Sequence, residues 1–183
     1  MNFKKILKIS GIVIAVLIII CTAITFYFNS EIKPKHLPKK GVFKSAAQYI
    51  DPEIALLNEG FEVCNENFIL QYYNPERATY SKGKNGLRKF VLSNYTNNNY
   101  TDSGYLNIRF VINCKGEAGR YIIHENNLDL EPQKFNTELV NQLFKITSNL
   151  KNWNPNFVRN EYRDSYMYLS YRIENGEITE IIP

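Results

Sequence analysis

The chain has 183 residues, of which 44% are hydrophobic and 22% are charged. This length suits one domain with an appendage, and this composition excludes a mostly disordered chain and a multi-pass membrane protein. Three cysteines are too few for a small scaffold held together mainly by disulfides. The net charge of +4 comes largely from Lys4, Lys5 and Lys8, because the part after residue 28 has 19 basic and 18 acidic residues. We therefore expect no nucleic-acid-binding surface.

A long apolar segment follows these lysines. Residues 9–28 carry no charged side chain, and a helix of 20 residues spans about 30 Å, the thickness of a bilayer's hydrocarbon core. Because the basic residues 1–8 favour the cytoplasmic side, the pattern predicts one transmembrane anchor and an exported remainder. A signal peptide cleaved after Ala23 is the alternative. Both interpretations place the bulk of the chain outside the cytoplasm.

The next part of the chain is a predicted tether followed by an irregular extension. Residues 29–42 contain two prolines and four lysines, which indicates an extended tether that reaches about 40 Å. Residues 43–79 are predicted to be an N-terminal extension of the folded domain. Within it we expect a short helix over residues 43–57, despite Pro52, and a strand over residues 68–73. The folded part should therefore lie close to the membrane.

From residue 80 onward the apolar pattern becomes regular. Apolar spacing predicts a helix over residues 86–95. Residues 104–114 then alternate between apolar and polar side chains, which is the pattern of a strand with one buried face. A turn at Lys115–Gly116 and a second strand over residues 120–125 complete a predicted β-hairpin.

The second helix and the last strands follow the hairpin. Asp129 is the expected helix cap and Pro132 the expected first-turn residue, ahead of an apolar stripe formed by Phe135, Leu139, Leu143, Ile146 and Leu150. A strand over residues 165–173, a turn at Asn175–Gly176 and a terminal strand close the chain. The prediction is an α+β fold in which two helices cover one face of a small antiparallel sheet, preceded by one transmembrane helix.

Three stretches of the region 80–183 resemble the C-terminal domain of TonB-type envelope proteins, especially those of Bacteroidetes. Residues 80–91 are similar to the family's aromatic, glycine-containing entry to its first helix, and residues 104–117 to its first strand and hairpin turn. Trp153-Asn154-Pro155 stands where the family has a tryptophan and a proline after its second helix. The resemblance implies a single-pass protein of the bacterial inner membrane whose C-terminal domain lies in the periplasm.

The resemblance also implies a way of binding. In TonB-like domains the C-terminal strand lies at a sheet edge and pairs with an extended segment of a protein partner. The matching positions here are residues 166–172, so Tyr166, Tyr168, Ser170 and Arg172 are the predicted partner-binding residues. The alternative is that these side chains simply occupy a half-exposed strand face, as their β-propensity allows.

Two further functions compete with peptide binding. One is energy transduction to an outer-membrane transporter, although residues 9–28 lack the histidine of the TonB anchor and the tether is short. The other is an envelope enzyme whose functional residues are distant in sequence. The sequence indicates neither the partner's identity nor the oligomeric state.

Few residues suggest chemistry. Cys64 and Cys114 form a disulfide if the compartment is oxidising, and the alternative is a buried free thiol at Cys114, on the inward face of its strand. His36 and His124 are the only histidines, and their positions do not match any metal-ligand spacing. No serine lies in a nucleophile elbow. We expect no catalytic residue, no metal and no cofactor.

Overall fold

The computed structural model describes residues 14–27, 49–71 and 77–183. The chain divides into two compact units, residues 1–49 and residues 50–183. The second unit contains every strand that the structure describes.

In the first unit, residues 14–27 are helical and exposed. Among the described residues, no helix is both long enough and apolar enough to cross a membrane. The predicted basic segment (residues 1–8), the two ends of the predicted anchor and the predicted tether (residues 29–42) lie outside the described residues. The anchor therefore stays a prediction.

The described part of the second unit combines eight strands with two helices. The strands are β1 (Thr79–Tyr80), β2 (Gly104–Ile112), β3 (Ala118–Asn126), β4 (Trp153–Asn154), β5 (Asn156–Val158), β6 (Glu161–Arg163), β7 (Ser165–Glu174) and β8 (Glu177–Ile182). The helices are α1 (Gly83–Asn94) and α2 (Thr137–Ser148). The order β3-β2-β7-β8 forms a four-stranded sheet, and two short pairs, β1 with β4 and β5 with β6, lie outside it. All these strand pairs are antiparallel, which confirms the predicted α+β class.

Both long hairpins turn at the predicted residues. Gly116, in the turn between β2 and β3, has a φ of 80°, and Asn175 and Gly176, between β7 and β8, have φ values of 50° and 77°. Such left-handed conformations favour glycine and asparagine over other residues. These turns bring each pair of sequential strands side by side.

The helices pack against one face of the four-stranded sheet. Alternate residues of β2 and β7 belong to the same buried cluster as the apolar side chains of α1 and α2, since successive side chains of a strand point to opposite faces. Ile108 of β2 and Leu169 of β7, for example, are opposite each other in the register and are both fully buried. The predicted apolar stripe of the second helix is buried throughout.

The second helix begins later than predicted. Its N-cap is Asn136, whose side-chain oxygen accepts a hydrogen bond from the N–H of Glu138 at 2.8 Å. Asp129 instead lies in an exposed turn, where Asn127 accepts hydrogen bonds from the N–H groups of Asp129 and Glu131. Asn127 thus stabilises a loop that competes with an earlier helix start, because asparagine side chains readily bond nearby main-chain groups.

The extension before residue 80 is less regular than predicted. The described residues 49–57 contain no helix; the N–H groups of Ile54 and Ala55 both donate to the carbonyl of Asp51, which closes a turn. Pro52 suits the start of this turn, because proline is tolerated at a first helical position, and Leu57, with a φ of 50°, leaves the right-handed helical conformation a few residues later. Of the predicted strand 68–73, the described residues 68–71 contribute a single β-bridge, at Leu70. The predicted turn at Asn74–Pro75 falls outside the described residues.

Residues 50–71, called the strap below, cross the sheet face opposite the helices. At one end Leu56 exchanges two main-chain hydrogen bonds with Tyr121 of β3, at 2.8 and 2.9 Å. At the other end Leu70 accepts a hydrogen bond from the N–H of Tyr166 in β7, at 2.9 Å. Ile50 packs with Val111 and Tyr166 in a second, smaller core. The strap therefore covers one part of this face.

Candidate binding face of the sheet

The segment predicted to form the sheet edge, residues 166–172, lies in an interior strand. β7 pairs with β2 over its length, and from Ser170 onward it also pairs with β8. The main-chain carbonyl of Leu70, in the strap, accepts a hydrogen bond from the main-chain N–H of Tyr166. The predicted edge is therefore wrong. The tight turn at Asn175–Gly176 is the physical reason, because it folds β8 back against the flank of β7 that faces away from β2.

The four predicted partner-binding residues share one face of β7, the face opposite the helices. Tyr166 is buried in the strap's core. Tyr168 is partly exposed, and Ser170 donates its hydroxyl to the side-chain oxygen of Asn107 at 2.6 Å. Arg172 forms an ion pair with Glu174 at 2.8 Å. The four residues thus lie on one side of the sheet. Tyr166 is covered by the strap, whereas Tyr168, Ser170 and Arg172 do not belong to the apolar core beneath it.

Strand register adds residues from β2 and β3 to this surface. Asn107 stands between His124 of β3 and Ser170 of β7, while the Cα partners of Arg109 are Ile122 and Tyr168. We call the surface formed by Asn107, Arg109, His124, Tyr168, Ser170 and Arg172 the polar face. Sequence alternation in residues 104–114 already places Asn107 and Arg109 on the outward side. It does not reveal which strands lie beside them.

Arg109 is the central charge of the polar face. One guanidinium nitrogen, Nη2, is buried and has no hydrogen-bond partner among the described residues. Burial lowers the pKa of Arg109, and the nearby Tyr166 acts in the opposite direction. The pKa of His124 is also lowered, first by burial and then by the positive charge of Arg109. Arg109 therefore projects a positive charge onto the neighbouring strand.

Replacement of Arg109 by glutamine is expected to raise the pKa of His124 towards its ordinary value of about 6.5, because the second cause of its depression is removed. As the pH falls below 6.5, the unfolded chain takes up the His124 proton before the folded chain does. Stability therefore decreases in acid, and Arg109→Gln should lessen that decrease. An NMR titration of the His124 ring protons measures the shift. Arg88→Gln, on the exposed side of α1, is the control, and an equal pKa in both variants would contradict the assignment.

Cys64 of the strap and Cys114, just after β2, form a disulfide. Asp164 lies beneath the disulfide and is 1% exposed. Its Oδ1 accepts the N–H groups of Cys64 and Cys114 at 3.0 and 2.9 Å, and its Oδ2 accepts the N–H of Asn65 at 2.7 Å. Covalent and polar contacts thus attach the strap at the same point. The sequence indicates the cysteine pair, whereas no local pattern singles out Asp164.

The ligand atoms of Cys64, Cys114 and Asp164 lie within 4.8 Å of one another, a spacing that metal ions accept. The two sulfurs are bonded to each other, and the thiolate, not the disulfide, is the usual metal ligand. In this oxidised form the three residues therefore act as a structural link between the strap and the sheet.

A shallow groove of about 660 Å³ lies at the end of the sheet where the β2–β3 turn meets the strap. Its lining includes Leu57, Phe61, Lys115, Gly116, Lys151 and Trp153. No serine, cysteine or histidine belongs to this lining, so the groove lacks the side chains of the usual nucleophile–base pairs. The expectation that the protein has no catalytic residue stays a prediction.

Comparison with known proteins assigns no relative. No protein-family model, curated protein or solved structure matches this chain.

Proposed function

We propose that this protein is a membrane-anchored, exported binding module that takes up an extended peptide by strand addition at β8. In this proposal residues 9–28 are the anchor in a bacterial inner membrane, and the α+β unit lies in the periplasm as a TonB C-terminal-like domain. The mixed order of helices and strands, the basic segment before the apolar run and the disulfide support this proposal.

The orientation has a direct test. Alkaline phosphatase is active only after export, so a fusion after residue 49 should be active in bacterial cells. Exchanging Lys4, Lys5 and Lys8 for glutamate should reduce that activity, because the charge bias that orients the anchor is lost. The control exchanges Lys84 and Lys89, which lie on α1, in a fusion to the end of the full-length chain. This exchange should leave the phosphatase activity unchanged. An inactive fusion with the native lysines would contradict export.

The position of β8 carries the binding proposal. Within the described residues β8 has β7 on one side and no strand on the other. Tyr166 directs its N–H away from β2, to Leu70, so even-numbered residues of β7 turn their main-chain groups to the β8 side. Glu180 is paired with Arg172, so its main-chain N–H and C=O point to β7. The main-chain N–H and C=O of Ile181 then point outward, away from β7. An outward-facing main chain is the group that strand addition uses.

The side chains of β8 indicate the partner's charge. Glu177 and Glu180 are exposed, and β8 has no basic residue. Opposite charges across a strand pair stabilise it, whereas like charges destabilise it. An extended peptide with lysine or arginine is therefore the favoured partner, and pairing of β8 with a second copy of itself is disfavoured.

Ile181→Pro is expected to abolish peptide binding at β8 while leaving the fold intact. Proline removes the outward N–H, and the hydrogen bonds of Glu180 and Ile182 with β7 remain. Random peptides displayed on phage, selected against the full chain in a neutral detergent, should be enriched in lysine and arginine. Binders should lose at least about tenfold in affinity on Ile181→Pro.

Ile181→Ala is the matched control, because it also removes the side chain but keeps the N–H. The control should retain most of the binding, and bound peptide should slow hydrogen exchange at Ile181. If Ile181→Pro and Ile181→Ala bind the selected peptides equally well, strand addition at β8 is refuted.

A further inference from the structure

The two guanidinium groups of the polar face differ in their carboxylate neighbours: Arg172 has Glu174 on its own strand and Glu180 as its register partner on β8, whereas the register partners of Arg109 are Ile122 and Tyr168. Arg172 has Glu174 as its ion-pair partner at 2.8 Å. For Arg109, no ion pair occurs with any residue that the structure describes, and its buried Nη2 has no hydrogen-bond partner there. The Nε of Arg172 is likewise buried and without a partner in the described chain. Arg109 is therefore a partly exposed cation of this face that has no carboxylate partner among the described residues.

The position of Arg109 makes this lack of a partner costly for the fold. Arg109 lies on an interior strand, with β3 on one side and β7 on the other. A cation taken partly out of water is destabilised unless a carboxylate or other acceptor replaces the lost hydration. Elsewhere in the same unit this requirement is met, since Arg120 binds both carboxylate oxygens of Glu66, at 2.7 and 2.8 Å. Arg109 is also an arginine on a strand of this sheet, but it has no such carboxylate among the described residues.

The surroundings of Arg109 suit a polypeptide. Tyr105 and Tyr168 are partly exposed on the same side of the sheet, and His124 is exposed on β3. Tyrosine and arginine are the residue types that contribute most binding energy at protein interfaces. The side chains of Asn107 and Ser170 are hydrogen-bonded to each other, which fixes their orientation at the centre of the polar face. The strap's apolar contact with Tyr166 borders this area.

We propose that the polar face binds an acidic segment of a partner protein, with an aspartate or glutamate side chain received by Arg109. A guanidinium pairs with a carboxylate through two parallel hydrogen bonds, which lysine does not reproduce. The site at Arg109 differs from the β8 edge in place, because the register partners of Arg109 are Ile122 and Tyr168, whereas Glu180 of β8 is the register partner of Arg172. It lies on the sheet face and selects acidic segments, whereas the edge selects basic ones. Failure of one proposal therefore leaves the other intact.

The test uses the full chain in a neutral detergent and random peptides displayed on phage. Besides the basic peptides expected at β8, a second group of peptides, rich in aspartate and glutamate, should be enriched on the native protein. Arg109→Gln should weaken their binding by about tenfold or more, because a charge-assisted pair is lost. Arg88→Gln, which removes the same charge from the exposed side of α1, should leave the affinity unchanged. Ile181→Pro should also leave it unchanged.

Stability of the variant separates a binding role from a structural one. Arg109→Gln removes an unpaired, half-buried cation, so its thermal midpoint should equal or exceed that of the native protein. Arg109→Lys keeps the charge without the two-pronged geometry, and we expect an affinity between those of the native protein and Arg109→Gln. If acidic peptides are not enriched, or if Arg109→Gln and Arg109→Lys both bind them as the native protein does, the proposal is overturned.

Discussion

Replacement of Asp164 by alanine is expected to lower the free energy of unfolding by about 3–5 kcal/mol. The carboxylate accepts three main-chain N–H groups, two from the strap and one from Cys114 at the end of β2. Because Asp164 is almost fully buried, little water replaces these bonds, and each donor left without an acceptor costs about 1–3 kcal/mol. Urea unfolding followed by circular dichroism measures the change.

Two other aspartate variants show whether the hydrogen bonds are responsible. Asp164→Asn keeps one acceptor oxygen, so it should cost less than Asp164→Ala. Asp129→Ala, at an exposed turn, should change the stability by no more than about 0.5 kcal/mol. Equal stability of Asp164→Ala and the native protein would show that the carboxylate does not hold the strap.

Removal of the disulfide is expected to have an effect of similar size. Cys64 and Cys114 are separated by 50 positions in the chain, and closing such a loop stabilises a protein by about 4 kcal/mol in the chain-entropy model. The double variant Cys64→Ser/Cys114→Ser should therefore unfold at a lower urea concentration. Native protein treated with dithiothreitol should show the same loss.

Cys21→Ser provides the control, because Cys21 is an exposed, free cysteine outside the strap. Without dithiothreitol it should unfold at the native midpoint, and with dithiothreitol it should lose as much stability as the native protein does, because it keeps the Cys64–Cys114 disulfide. A double variant that differs from the native protein by less than about 1 kcal/mol would contradict the prediction.

Asp164 and the disulfide attach the same short segment, so their effects should not add. Once the disulfide is removed, Asp164 still holds the N–H groups of Cys64 and Asn65. Loss of both links should therefore lower the free energy of unfolding by more than the sum of the two single losses, as expected for residues that share partners.

The secondary structure of residues 104–126 was largely predictable because its cause is local. Alternating side chains and a glycine turn indicate two strands whatever lies beside them. The start of α2 was less predictable, because Asp129 and Asn136 are both good caps. Asn127 binds the loop that contains Asp129, and this local competition decided the outcome.

The candidate site depended on information that the chain pattern does not contain. Sequence alternation places Arg109 and the four predicted residues of β7 on the sides of their strands that face away from the helices. It does not specify that Asn107 lies between His124 and Ser170. Asp164 was missed for a related reason, since its three donors come from two segments about 50 and 100 positions away along the chain.

By itself, the sequence determined which side chains of β2 and β7 face the helices, where both long hairpins turn and which cysteines are able to pair, because periodicity and turn chemistry act over a few neighbouring residues. Only the tertiary structure decided that β7 is interior and β8 is the edge. Strand order depends on the flank to which each connection returns, and that choice is made by contacts between distant segments. The same contacts leave Arg109 without a carboxylate on the polar face.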